Sequence, residues 1–210
     1  MIDGSSTTAM WSAVVGFGLY HGINPGMGWP LAVSAALMQK RSGAMRNALL
    51  ALAAGHLLAM AVVLLPFSLV ASLAQWDKQI RFGAGLVVIC MGIYLLINRR
   101  HPRWLARVKP TRLALWSFLA AMAHGAGLML VPIFGAINMA SNHVGHSVLV
   151  AAMVVLAHTL AMAVSCAVVS IGVYRWLGLK FLSRSWFNLD IVWALSLILV
   201  GGIGVYGASQ

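Results

Sequence analysis

The chain contains no glutamate, and its acidic residues are Asp3, Asp77 and Asp190 alone. Charged residues of both signs make up 8% of its 210 residues, whereas a soluble domain carries about 25%. Hydrophobic residues make up 61%, and the mean hydropathy is +0.92. Several apolar runs exceed the roughly 20 residues that a helix needs to cross a bilayer. These figures exclude a soluble domain of useful size and predict an integral membrane protein.

Cysteine is also scarce. Cys90 and Cys166 both fall inside apolar runs, so no structural disulfide is expected. No acidic residue lies beside the histidines of the apolar runs to act as a general base, so we expect no enzyme. A metal-bound water could act as the base instead. The N-terminus lacks the basic segment of a cleaved signal peptide, so we expect the first span to belong to the mature protein.

Lysine and arginine give the chain a formal net charge of +11. In a soluble protein this excess would suggest nucleic acid, but here the charges fall in short loops between apolar runs. The positive-inside rule accounts for such charges. We therefore expect the lipid bilayer and no nucleic acid as partner, and the composition leaves a homo-oligomer open.

Six spans account for the apolar runs, and together they form a single transmembrane domain over residues 1–210. Twelve of the 14 lysines and arginines lie in the first, third and fifth loops, and the other two are Lys78 and Arg81. This asymmetry predicts both termini outside the cytoplasm, in a bacterial inner (plasma) membrane. The predicted spans cover approximately residues 10–38, 47–74, 80–98, 113–139, 146–174 and 187–207.

Two pairs of short segments recur at nearly the same offset. GHLLAMAVV and AHTLAMAVS align His56 with His158, 102 positions apart, and YHG and AHG align His21 with His124, 103 apart. The two copies, about 10–98 and 113–207, would each hold three spans, and an odd number reverses the second copy in the membrane. Such inverted repeats are typical of secondary transporters.

The predicted fold is thus an all-α membrane protein of six transmembrane helices, arranged as two inverted three-helix repeats with broken helices in spans 1 and 4. In the first span, Pro25 leaves the carbonyl of His21 without its helical donor, and Pro30 does the same for Gly26. Pro132 has this effect in the fourth span. Freed carbonyls are tolerated only against protein or a wet cavity, which predicts a polar pocket.

Four histidines lie roughly 9–12 residues into their spans, which places all four near the middle of the bilayer. Imidazole is costly in hydrocarbon and marks a functional site. Neutral imidazoles suit Ni, Co, Zn, Cu and Fe, and metal binding to them releases protons. We therefore expect a proton-coupled secondary transporter of a transition-metal cation, with that ion as substrate. The candidate metal ligands are His21, His56, His124 and His158.

Other side chains could assist these histidines. Met60 and Met162 follow His56 and His158 by four residues, which shares a helix face. His143 and His146 form an HxxH pair in the predicted fourth loop and are further candidate metal ligands. The predicted substrate-binding residues are His21, Asn24, Pro25, Met27, Met60 and Met162.

HGINPG, beginning at His21, resembles the H-x-x-x-P-G element in the first span of the nickel/cobalt efflux family. That family belongs to the lysine-exporter superfamily of small inverted-repeat transporters. His21, Pro25 and Gly26 match the element, and His56 matches the histidine expected in the following span. The resemblance covers about the first 60 residues and implies efflux of a metal cation.

The chain departs from that family at two positions and in one loop. Met27 stands where the family has a second histidine, and Asn24 stands where it has an acidic residue. The family's His-rich loop does not occur. Losing these hard ligands favours a softer metal such as Cu or Zn.

Two other functions fit the same histidines. Without a carboxylate in the pocket, protonated histidines and the arginine-rich inner face could serve an exporter of an anion or amino acid. The four histidines could also hold two haems in a bis-histidine membrane cytochrome, although such bundles usually place the ligands at two depths.

Overall fold

The computed structural model describes residues 4–39, 42–71, 77–97, 112–123, 125–138 and 144–177, with short pieces between 194 and 209. It is 98% helical. A 3₁₀ turn, Pro25–Met27, separates the first two helices, and a π-helical turn, Val173–Leu177, extends the last. The helices are α1 (Gly4–Ile23), α2 (Trp29–Gln39), α3 (Ser42–Ala71), α4 (Asp77–Ile97), α5 (Leu113–Ala123), α6 (Ala126–Asn138) and α7 (Val144–Gly172).

Among the described residues, two helices are long and apolar enough to cross a membrane by themselves, over Gly43–Leu69 and Val144–Trp176. A third span results if Leu113–Met122 and Ala126–Asn138, which meet at 61°, form one bent segment. Apolar runs become helical in lipid because every backbone N–H and C=O must find its partner inside the segment. The described part of the chain is therefore helical and has the apolar helices of a membrane protein. Most of the predicted sixth span lies outside the described residues.

The helices are interrupted in both predicted broken spans. Residues 24–28 separate α1 from α2, while α5 ends at Ala123 and α6 begins at Ala126. Each break contains a glycine with positive φ, +95° at Gly28 and +67° at Gly125. A residue with a Cβ is strained in this left-handed region, so glycine permits the chain to leave the helix there.

Helices of the two halves pack on each other in a crossed arrangement. α1 makes its most extensive contact with α7, α5 makes its most extensive contact with α3, and α3 also packs on α7. Small residues allow the closest approach: a Cβ at Gly18 would lie 2.5 Å from the His158 carbonyl oxygen, and one at Gly55 would overlap the backbone of Ala114. Close packing of this kind stabilises helix association in lipid, where apolar surface gives little drive.

Burial along α3 recurs along α7. Of the nine residues of α3 that the structure describes as buried, eight have a buried residue 102 positions later, in α7. The exception is Gly55, whose counterpart Ala157 is partly exposed. The recurrence extends the sequence match from one short segment to the whole length of both helices. The buried pairs are Met45–Ser147, Ala48–Val150, Leu52–Val154, His56–His158, Ala59–Ala161, Met60–Met162, Leu64–Cys166 and Ser68–Ser170.

The third helix of the first half, α4, packs on the described pieces near the C-terminus. A Cβ at Gly85 would lie 2.9 Å from the Gly201 carbonyl oxygen, and one at Gly92 would lie 2.7 Å from the Ala194 carbonyl oxygen. The later residue of α4 thus meets the earlier residue of the C-terminal segment. The two segments therefore run antiparallel where they touch.

Candidate functional site

Three imidazoles meet in the middle of the helix bundle. His21 of α1, His56 of α3 and His158 of α7 are each 0% exposed. Their ring centroids lie 4.9 Å apart for His21–His56, 5.7 Å for His21–His158 and 5.6 Å for His56–His158. We call these three residues the histidine cluster. The structure thus brings together three of the four histidines that the sequence singled out.

His21 reaches the cluster because α1 lies directly against α7. Besides the contact at Gly18, a Cβ at Gly22 would overlap the Ser165 hydroxyl and the Met162 carbonyl oxygen. The two glycines are one helical turn apart and face the same neighbour. Any larger residue would hold α1, and the His21 ring with it, away from α7.

The chain leaves α1 just after His21, and local hydrogen bonds satisfy the backbone there. The His21 carbonyl accepts from the Asn24 N–H at 3.2 Å, and the Trp29 indole N–H donates to the Ile23 carbonyl at 2.9 Å. The prediction that the freed His21 carbonyl would face a polar pocket is therefore wrong. The Asn24 N–H replaces the donor that Pro25 lacks, and the indole bonds a carbonyl that the end of α1 leaves without a helical partner.

The structural role of Pro30 also differs from the predicted one. It is the second residue of α2, where a missing N–H is tolerated because the first turn of a helix has no partner for it. Gly26 belongs to the 3₁₀ turn, so Pro30 takes no helical donor from its carbonyl. Pro25 begins that turn. Both prolines therefore shape the break, and Pro25 offers no side-chain donor atom to a substrate.

Asn24 is buried in the same break and caps the turn. Its Oδ1 accepts from the Gly26 N–H at 2.8 Å, as asparagine commonly does at such a position. Its Nδ2 has no hydrogen-bond partner among the described residues. Because Nδ2 is a donor, it suits a substrate oxygen or a water better than a cation.

The distances between the three ring centroids suit a shared metal ion, whereas the orientations of the rings do not. A metal bound at about 2 Å by three imidazole nitrogens holds the ring centroids roughly 5 Å apart. The His21 ring, however, is tilted by 49° and 52° to the other two. Across the described residues, no group of three or more His, Cys, Asp or Glu is arranged to hold a metal ion. One ion could be shared only after the rings turn about their side-chain bonds.

Unpaired ring nitrogens are a second property of the cluster. Within the described part of the chain, neither nitrogen of His56 has a hydrogen-bond partner, nor does Nε2 of His158. Leaving a buried donor or acceptor unpaired costs about 1–3 kcal/mol. A ligand that bonds to these atoms would therefore stabilise the folded protein.

The predicted methionines are close to the cluster histidines in sequence. Their side chains are buried, and those of Met60 and Met162 lie among apolar residues. Met60 belongs to a large hydrophobic core with Ala59 and Leu64, and Met162 packs with Trp29 and Cys166. Met27 is 1% exposed within the break. Packing accounts for their burial, and their part as soft ligands stays a prediction.

The remaining predicted ligands are separate from the cluster or outside the described residues. His124 and His143 both lie outside the described residues. His146 is exposed and lies in the first turn of α7, not in a loop as predicted, because α7 begins at Val144.

Sequence reasoning missed one group that touches the cluster, the backbone carbonyl of Val14. Its oxygen lies 3.3 Å from Nδ1 of His158. A backbone group leaves no mark of its own in a sequence. The Gly18–Gly22 spacing on α1 was the available signal, since small residues four apart indicate close helix contact.

Thr159, beside His158, was also missed. It is 4% exposed, and its hydroxyl has no hydrogen-bond partner in the described ranges. It is a buried polar side chain, next to His158 in sequence, that the predicted histidine set did not include.

Comparison with known proteins gives no relative from which a function could be transferred: no family model, no curated protein and no solved structure matches this chain.

Proposed function

We propose that the protein is a secondary membrane transporter that moves a transition-metal cation through the histidine cluster. The observation that carries this proposal is the contact of three fully buried imidazoles from three separate helices. Burying an imidazole in the hydrocarbon region of a membrane costs free energy, so histidines there mark functional sites. Three at one point, with ring nitrogens of His56 and His158 unpaired in the described structure, favour a ligand that binds nitrogen.

The proposed architecture is six spans in two inverted repeats. Three observations support it: the recurring burial of α3 and α7, the break in α1–α2 and again in α5–α6, and the antiparallel contact of α4 with the C-terminal segment. Helices related by a two-fold axis in the membrane plane run antiparallel where they meet. The histidine cluster would then lie at the repeat interface, where such transporters bind their substrates.

The proposed orientation rests on the charges of the loops. Twelve lysines and arginines on one side favour a bacterial inner membrane with both termini outside the cytoplasm. Fusion of green fluorescent protein, which fluoresces only in the cytoplasm, to the loop near residue 105 should give fluorescent cells. The same fusion at the N-terminus should be dark. The reverse pattern would contradict the orientation.

The chemistry of the cluster favours Ni, Co, Cu or Zn as substrate. Imidazole nitrogen suits these ions, and no carboxylate is found in the described bundle interior to favour a hard ion such as Mg²⁺. Because metal binds only the neutral ring, protonation of the imidazoles and metal binding exclude each other, which permits coupling to a proton gradient. Efflux as the direction rests on the resemblance of HGINPG to the nickel/cobalt efflux family.

Metal flux into proteoliposomes tests the proposal. We expect Ni²⁺, Co²⁺, Zn²⁺ or Cu⁺ to enter faster than into empty liposomes, and the His56→Ala variant to lose this flux. Leu160→Ala is a matched control, because Leu160 lies on α7 two residues from His158 but is 63% exposed on the outer surface. The control should keep normal flux.

Two outcomes would overturn the proposal. Flux of an anion or amino acid that disappears in His56→Ala, with no metal flux, would favour the alternative exporter. A haem absorption band in the purified protein would favour the cytochrome. Before the flux comparison, gel filtration should establish that His56→Ala and the parent protein elute alike.

A further inference from the structure

One hydrogen bond connects α1 with the ring of His158. Nδ1 of His158 lies 3.3 Å from the carbonyl oxygen of Val14. A carbonyl oxygen can only accept, so this hydrogen bond forms only when the hydrogen resides on Nδ1. A neutral imidazole has one N–H and one lone pair, so Nε2 is left with the lone pair.

The surroundings of the ring fix this arrangement. The His158 side chain is 0% exposed, so water does not compete for Nδ1. The Val14 carbonyl reaches it because α1 approaches α7 at Gly18, where an added Cβ would lie 2.5 Å from the His158 carbonyl oxygen and 2.8 Å from the Ala161 Cβ. Nε2 is buried and has no partner among the described residues.

The structure assigns Val14 as a positioning residue: its backbone carbonyl holds His158 in the Nδ1–H form and makes Nε2 the atom that binds substrate. The second half of this inference rests on the proposed function. Histidines that bind metals commonly donate their other ring N–H to a carbonyl or carboxylate, which fixes the ring and its tautomer. Here α1 supplies both that acceptor and the ring of His21.

Nitrogen-15 NMR of the full chain labelled at histidine tests the tautomer directly. We expect the His158 resonances, assigned by their loss in His158→Gln, to report a protonated Nδ1 and an unprotonated Nε2. Titration with Zn²⁺ should shift Nε2 and leave Nδ1 protonated. A protonated Nε2 in the metal-free protein, or a shift at Nδ1, would overturn the inference.

A pair of glycine variants tests the part played by α1. Gly18→Ala should separate α1 from α7, abolish the preference for Nδ1–H and weaken Zn²⁺ binding by about 10- to 100-fold. Gly16→Ala is the matched control on the same helix, because a Cβ there meets nothing within 4 Å. An unchanged tautomer in folded Gly18→Ala would also overturn the inference.

If Gly18→Ala does not fold, two variants of His158 replace it. The amide nitrogen of Asn sits close to the position of Nδ1, whereas that of Gln sits close to Nε2. His158→Asn should therefore keep the bond to Val14 and more of the thermal stability than His158→Gln, while both lose Zn²⁺ binding. Equal stability of the two would contradict the inference.

The tautomer and the metal response separate this inference from the proposed function. A protonated Nδ1 that vanishes in Gly18→Ala, together with no response to Ni²⁺, Co²⁺, Zn²⁺ or Cu⁺, would refute metal transport and leave the positioning by Val14 established. The opposite result, metal binding with a protonated Nε2, would refute the positioning alone.

Discussion

His56 and His158 face each other with their ring centroids 5.6 Å apart and their planes inclined by 20°, although 102 positions separate them in the chain. They hold matching places in the two proposed repeats. A residue and its repeat counterpart come into contact only when both lie close to the axis that relates the halves. The stacked pair therefore marks where that axis would cross the bundle, and His21 of α1 lies against both rings.

The matching places of His56 and His158 lead to a first prediction. Replacing either ring with alanine should weaken metal binding to a similar extent, and the double variant should be little worse than each single one, because the two rings act on one ligand. Isothermal titration of the purified proteins with Ni²⁺, Co²⁺ and Zn²⁺ measures this. A silent variant at one position, beside a strong effect at the other, would contradict a shared site.

Gly55 gives a prediction about stability. A Cβ at this position would overlap the Ala114 carbonyl, so Gly55→Ala should lower the free energy of unfolding by about 1–3 kcal/mol through overpacking. Gly43→Ala, on the same helix, is the control, because its Cβ meets nothing within 4 Å. Thermal unfolding in detergent would compare the two. Equal melting temperatures would show that α3 and α5 can separate freely.

Gly28 provides a test of the break between α1 and α2. Its φ of +95° strains any residue with a Cβ, and an added Cβ would also lie 2.7 Å from Leu52 and 2.8 Å from Trp116. We expect Gly28→Ala to lose at least ~1 kcal/mol of stability. Gly145→Ala, with open space around it, should be neutral. Urea or SDS unfolding of both variants checks this, and a neutral Gly28→Ala would argue for a different turn.

Two serines allow the stability contribution of an interhelical hydrogen bond to be compared with that of a hydrogen bond within one helix. Ser117 of α5 donates to the Leu52 carbonyl of α3 at 2.7 Å, whereas Ser68 donates to Leu65 of its own helix. Ser117→Ala should therefore cost about 0.6–1 kcal/mol. Ser68→Ala should cost less, since the bond it loses does not join two helices. The measurement is the unfolding midpoint in mixed micelles, and a larger loss for Ser68→Ala would contradict the reasoning.

The repeat was the most informative feature of the sequence. Two nine-residue segments were enough to align His56 with His158, and the burial of α3 and α7 recurs at the same offset. Periodic burial follows from helix geometry, so a match at one segment extends along the helix. The place of His21 in the cluster could be predicted for a different reason: the depth of a residue in a membrane span can be counted from its number.

Local chemistry at the first break was harder to foresee. The prolines and glycines correctly indicated that the helix would end, but the fate of the freed carbonyls was predicted wrongly. Whether a carbonyl faces a pocket depends on which donor is near it in space. Here the donor for the His21 carbonyl is the Asn24 N–H, and only folding of the turn brings it close.

The sequence by itself predicted a helical chain suited to lipid, with four histidines at one depth, because composition and spacing along a helix can be read without knowing the tertiary contacts. The tertiary structure alone decided which imidazoles touch and which nitrogen of His158 keeps its lone pair. Those facts depend on how closely α1 approaches α7. That distance is set by contacts between residues 140 positions apart, such as Gly18 and His158.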